Sequence, residues 1–188
     1  MTTKVDIDGR TIVIRPIEHG DVPGVARFAA GLSSHDLLFM NRDIQHARVI
    51  DAWMNAVKDG EMDTLVAVDG DAIVATSAVL RDPRSWSAHV AELRLIVAPE
   101  FRSKGLGRMM LDKCVELAVE SGVKKITARM TRDQTGAITL FEEAGFRGEA
   151  LLRDQVCDRD GNYFDLAVLA LHPGREAGRR AMFGDEKV

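Results

Sequence analysis

Cysteine, tyrosine and tryptophan are scarce in this 188-residue chain, at two, one and two copies. Cys114 and Cys157 lie far apart and outside any C-x-x-C. That excludes a disulfide framework and a thiolate metal cage, and a reducing cytoplasm is the simplest expectation. Cys114 falls on the apolar face of a predicted helix and reads as a buried, inert thiol. The histidines (His19, His35, His46, His89, His172) show no H-E-x-x-H spacing, so no metal is expected. No apolar run approaches the ~18 residues of a membrane span, and Met1–Asp6 lacks the apolar core of a signal peptide. Long basic runs are missing as well, and with a net charge of −4 no nucleic-acid partner is expected.

What is present is the composition of a soluble domain, 46% hydrophobic and 29% charged. The length suits one domain with a real core, expected over residues 1–172. Residues 173–188, rich in Gly, Arg and Glu, read as a flexible tail.

Periodicity orders the rest. Thr11–Pro16 reads as a strand, and Asp21 is placed to cap a helix running to about Leu32. A loop or short helix spans Ser33–Asp43. A second helix runs from about Ile44 to Lys58, with Val49, Ile50, Trp53, Met54 and Val57 on one stripe. Thr64–Val68 and Ala72–Leu80 read as a hairpin turning at Asp69-Gly70-Asp71. Ala88–Val97 is the next strand, and Gly105–Ser121 a helix ended by Gly122. Val123–Met130 reads as a strand and Thr135–Ala144 as a short helix stopped by Gly145. Ala150–Val156 and Tyr163–Leu171 then form a last hairpin. The order β-α-α-β-β-β-α-β-α-β-β predicts an α/β (α+β) fold. It has a mixed, mostly antiparallel sheet of about six or seven strands flanked by about four helices.

The densest chemistry lies at Val97-Ala98-Pro99-Glu100-Phe101-Arg102-Ser103-Lys104-Gly105-Leu106-Gly107-Arg108. A strand enters a glycine loop that opens a helix, which is the design of an anion cradle: close backbone approach, unpaired N–H groups, and a favourable macrodipole. A P-loop needs G-x-x-x-x-G-K-[ST], and no such run exists. A dinucleotide fingerprint needs a third glycine, and Met110 stands there; the acidic residue expected about 20 positions on is replaced by Lys124-Lys125-Ile126.

The pattern met is R-x-x-G-x-G, at Arg102, Gly105 and Gly107. With Ala91-Glu92-Leu93-Arg94-Leu95-Ile96-Val97 before it and Ala137–Phe146, ending in Gly145-Phe146, after it, the chain resembles the GNAT superfamily of N-acetyltransferases. The matching element order covers Thr11 to Leu171. The opening Asp8–Ile17 looks like that of bacterial members acting on protein lysines, and a small-molecule amine is equally compatible.

The resemblance implies acetyl-CoA as cosubstrate and a primary amine as acceptor. Leu95, Ile96 and Val97 would pair with the pantetheine arm, and a main-chain N–H near Ile96 or Val97 would face the oxyanion. Main-chain N–H groups from Ser103 through Lys104, Gly105, Leu106, Gly107 and Arg108 would hold the pyrophosphate, with Arg102 and Lys104 as cationic help. Gln134 matches a cofactor-contacting asparagine. Glu92 is the candidate base, its alternative being an ion pair with Arg94; His89 is the second candidate. The tyrosine that serves many members as acid is matched by Phe141, which cannot donate. A weakly catalytic acyl-CoA sensor is therefore the rival reading. Acceptor specificity is expected from Ser33–Arg48, the Arg81–Ser87 loop and the final hairpin. A homodimer is compatible with all of this.

Overall fold

The computed structural model describes residues 2–40 and 42–174. One eight-stranded sheet carries the fold, in the order β1-β2-β3-β4-β5-β6-β8-β7. Its strands are β1 (Thr3–Ile7), β2 (Arg10–Pro16), β3 (Met62–Asp69), β4 (Ala72–Arg81), β5 (Val90–Val97), β6 (Lys125–Thr131), β7 (Arg147–Cys157) and β8 (Tyr163–Leu171). The helices are α1 (Val22–Ala30), α2 (Ala47–Lys58), α3 (Leu106–Glu120) and α4 (Thr135–Glu143). A short 3₁₀ turn, Asp36–Phe39, lies between α1 and α2.

Every neighbouring pair is antiparallel except β5 with β6, which α3 joins as a parallel crossover. The core follows the stripes. Ile12 and Ile14 on β2, Leu93 on β5 and Met110, Leu111 and Cys114 on α3 are almost wholly buried. Burial pushes the Cys114 thiol up to about 11, against a hydrogen bond to Ser77 that pulls it down, so it stays protonated. Trp53 of α2 donates from Nε1 to Thr64 Oγ1 at 2.8 Å.

The structure corrects several sequence boundaries. Thr3–Ile7 is an extra strand on the sheet edge, and its alternation of charged and apolar residues had carried no turn signal before it. Asp21 does not cap α1 through its side chain. Its carboxylate instead takes a two-pronged grip from Arg15, at 2.7 and 2.8 Å, and accepts from the Glu18 N–H. Residues 44–46 form a turn, and α2 begins at Ala47 with His46 Nδ1 accepting from the Arg48 N–H. Gly122, at φ +81°, does terminate α3. The tail expected at 173–188 falls, from residue 175 onward, outside the described residues. Among the described residues, no helix is long and apolar enough to cross a membrane.

Candidate active site

β5 divides into two halves. Val90–Leu93 pairs with Lys125–Ala128 of β6, and the pairing stops at Leu93–Ala128. Beyond that point β6 continues against β8, while β5 keeps only β4 as a neighbour. The two strands therefore splay, leaving one edge of β5 open.

The register says which groups that edge presents. The Ala98 N–H donates to Val74 C=O, so the alternation of an antiparallel ladder turns Ile96 and Arg94 toward β4. Leu95 and Val97 turn their main-chain groups the other way, into the splay. This sharpens the expectation for the oxyanion donor: of Ile96 and Val97, only Val97 aims its N–H there. The Val97 carbonyl is engaged by Arg102 Nε at 3.0 Å.

The glycine loop continues the same edge. Ser103 and Gly105 both take left-handed backbone, at φ +57° and +87°, which winds successive N–H groups toward one side. Among the described residues, no chain acceptor takes the N–H of Ser103, Lys104, Gly105, Leu106, Gly107 or Arg108; the first internal bond of α3 is Met109 N–H to Gly105 C=O. A Cβ on Gly107 would stand 3.3 Å from Leu140 and 3.7 Å from Val97, so glycine also lets α3 close on α4 and β5.

These groups border a cleft of about 560 Å³ between β5 and α4. It brings together Leu95, Ile96, Val97, Arg102, Ser103, Gly105, Gly107, Arg108, Gln134 and Phe141 from the expected set. Lys104 is not on its wall: it pairs with Asp8 at 2.8 Å. Leu106 is core, fully buried. Gln134 accepts the Thr131 N–H at 2.9 Å through Oε1, and its Nε2 is buried with no partner. Phe141 is 3% exposed and packs edge-on against Phe146 at 5.0 Å, with no polar atom at that position.

A second pocket, about 340 Å³, lies on the far side of the segment preceding α2. Ser34 and Leu37 face it while His35 and Asp36 face the cleft, so one turn of chain separates the two spaces. Glu92 lines this pocket, 19% exposed. Its Oε1 accepts from Arg94 Nε at 2.7 Å, and Arg129 Nε stands 3.7 Å from its Oε2. The ion pair weighed against catalysis is thus formed, although the carboxylate still reaches the pocket.

The pocket is otherwise charged at its rim. Arg159 of the β7–β8 turn holds Asp43 at 2.6 Å, and that hydrogen bond keeps the Asp43 carboxyl below its usual range against the opposing effect of burial. His89 is exposed at the opposite end of β5, where its carbonyl accepts the Lys124 N–H, and it lines neither space. The 81–87 loop contributes to neither either, and Trp86 is fully exposed.

One residue that sequence reasoning passed over is His35. It lines the cleft, its Nε2 is 2.8 Å from Asp133 Oδ2, and its ring meets Phe164 edge-on at 5.1 Å. No spacing signal could have found it, because its partners come from the loop before α4 and from β8.

Comparison with known proteins agrees with this geometry. The model of the acetyltransferase (GNAT) family matches residues 33–146. The [ribosomal protein bS18]-alanine N-acetyltransferase of Salmonella typhimurium is 30% identical over 77 residues, 41% of this chain and 51% of that protein. The matched part thus spans about half the length of that curated relative. An acetyltransferase of the GNAT family from Streptococcus pneumoniae superposes with a TM-score of 0.74 at 19% identity, covering 86% of this chain and 99% of that one. The spermidine N-acetyltransferase of Vibrio cholerae, solved with CoA and spermine, gives 0.72 at 17% identity over 88% and 98%.

Proposed function

The chain belongs to the GNAT acetyltransferase family, and we propose that it moves an acetyl group from acetyl-CoA to a primary amine by direct attack, with no acyl-enzyme stage. The observation that carries this reading is the splay of β5 from β6 running straight into an unpaired N–H cradle. The open edge at Leu95 and Val97 suits the amides of an extended pantetheine arm, and the six free N–H groups suit a pyrophosphate. Gln134 lines the same cleft, and its buried Nε2 is a donor without a partner.

An alkylamine is mostly cationic at neutral pH and must lose a proton before it attacks. Glu92 is the candidate to receive it, directly or through water, from the pocket on the acceptor side. Arg94 and Arg129 hold the carboxylate in place. The acceptor is proposed as an amine because that is the group shared by the relatives' named substrates, an alanine of a ribosomal protein and spermidine. Free Cys114 and Cys157 accord with a reducing cytoplasm as its place of work.

The test is thiol release from acetyl-CoA with a peptide beginning in alanine, a lysine peptide and spermidine, alongside calorimetry of acetyl-CoA binding. Release with one of these amines and an acetylated product by mass spectrometry is the expected result. Tight acetyl-CoA binding with no release would favour an acyl-CoA sensor, a reading for which Phe141 and the Glu92–Arg94 pair speak.

A further inference from the structure

We propose that His35 gives the departing coenzyme A sulfur its proton, the role for which Phe141 has no group; this rests on the acetyl-transfer reading above. The first ground is position. The Asp36–Phe39 turn packs against both β5 and β6, and His35 immediately before it faces the cleft where those strands diverge. The cradle at Ser103–Arg108 fixes the pyrophosphate end, so the divergence beyond Leu93–Ala128 is the thioester end. The second ground is chemistry. Of the titratable side chains on the cleft wall, the others are carboxylates and guanidinium groups, and imidazole is the one whose ordinary pKa lies near neutrality.

The third ground is how the ring is held. Nε2 is sealed from solvent and sits 2.8 Å from the Asp133 carboxylate without the alignment of a hydrogen bond, while Phe164 fixes the ring edge-on. With Nε2 sealed beside that carboxylate, Nδ1 is the ring nitrogen left to serve a ligand in the cleft. The charged residues on the same cleft wall are Asp133 from the loop before α4, Asp36 next in the chain, Arg102 and Arg108 at the start of α3, and Glu143 at the end of α4. Asp36 is itself neutralised by Arg102 at 2.8 Å from the loop before α3.

The step balances. The amine nitrogen bonds to the acetyl carbon, the carbon–sulfur bond breaks, and its electron pair goes to sulfur. Sulfur takes the proton from the imidazolium, leaving neutral imidazole. The amine's proton leaves through Glu92 or water, and solvent recharges His35.

The experiment compares wild type with His35→Gln, using acetyl-CoA and whichever of the three amines gives the wild type its fastest release. The expected result is a fall in kcat of about 10²-fold with acetyl-CoA affinity held within about twofold, and loss of the alkaline limb of the kcat–pH profile. Adding Phe141→Tyr to His35→Gln should recover about tenfold of the loss. A second readout needs no variant: the thiol of bound coenzyme A, followed by its ultraviolet thiolate absorbance, should ionise at lower pH than free coenzyme A. A His35→Gln rate within about threefold of wild type would overturn the proposal, as would an alkaline limb that survives the substitution or a bound thiol titrating as if free. Absence of release by the wild type itself would instead sink the acetyl-transfer reading.

Discussion

Toward the cleft, β5 and the loop after it present main-chain N–H groups that no acceptor among the described residues takes; toward the second pocket the chain presents charged side chains that already hold one another. The N–H groups of Leu95, Val97 and Ser103–Arg108 are free because strands splay and a helix begins, both consequences of backbone geometry, while Arg102 takes the Val97 carbonyl. Glu92, Arg94, Arg129, Asp43 and Arg159 instead form pairs that an amine in the proposed acceptor pocket would have to enter or exchange. A main-chain site tolerates changes of side chain as long as the backbone path survives. A side-chain site changes its guest with single substitutions.

The largest effect should come from breaking the backbone path. Gly107→Glu places a carboxylate in the cradle and crowds Leu140, so acetyl-CoA affinity should fall by about 100-fold or more in calorimetry. A melting scan distinguishes this from unfolding, and unchanged affinity in a folded variant would contradict a main-chain donor site. Next in size is the carboxylate on the other side. Glu92→Gln should lower kcat by about 10²-fold with acetyl-CoA affinity unchanged, whereas Arg94→Met, which frees the carboxylate, should cost less than about tenfold. Equal losses accompanied by equal falls in melting temperature would make the pair a structural brace.

A smaller effect lies where the two sides meet. Asp36 holds Arg102 across the mouth of the cleft and competes with a pyrophosphate for it. Asp36→Asn should therefore tighten acetyl-CoA by about three- to fivefold at low salt, in line with a partly exposed ion pair. Weaker binding would show that Asp36 instead positions Arg102 for the phosphates.

The smallest concerns stability away from the site. Hydrogen bonds from Arg15 hold the Asp21 carboxyl below its usual range, against burial and with help from the Glu18 N–H. A lowered folded pKa contributes stability that is present above the unfolded value of about 4 and is lost as pH falls through the lowered one. Asp21→Asn should cost about 1–2 kcal/mol at pH 7 by chemical denaturation and flatten the acid limb of stability. An unchanged acid limb would mean the pair contributes nothing.

The same contrast decided what could be read from sequence. The strand, the R-x-x-G-x-G loop and the helix after it are contiguous, so the cradle was legible, as was the absence of a hydroxyl at Phe141; the open edge of β5 came only with the family resemblance, because it depends on where pairing with the distant β6 stops. The cap expected from Asp21 was not formed, since Arg15 on the neighbouring strand offers the carboxylate two charged hydrogen bonds where a cap offers one neutral donor. Lys104 looked like a phosphate ligand by neighbourhood, but the edge strand before it brings Asp8 within reach. His35 carried no local signal because its surroundings are assembled from four separate parts of the chain. Glu92 was legible as a polar residue in an apolar strand; whether Arg94 or a substrate claims it depends on which face each occupies.

Amide-resolved hydrogen exchange with and without acetyl-CoA tests the donor side most directly. New protection is expected at Leu95, Val97 and the Ser103–Arg108 amides, with Ile96 unchanged because its N–H already faces β4. Protection confined to other segments, or none at the cradle under saturating acetyl-CoA, would contradict a main-chain donor site.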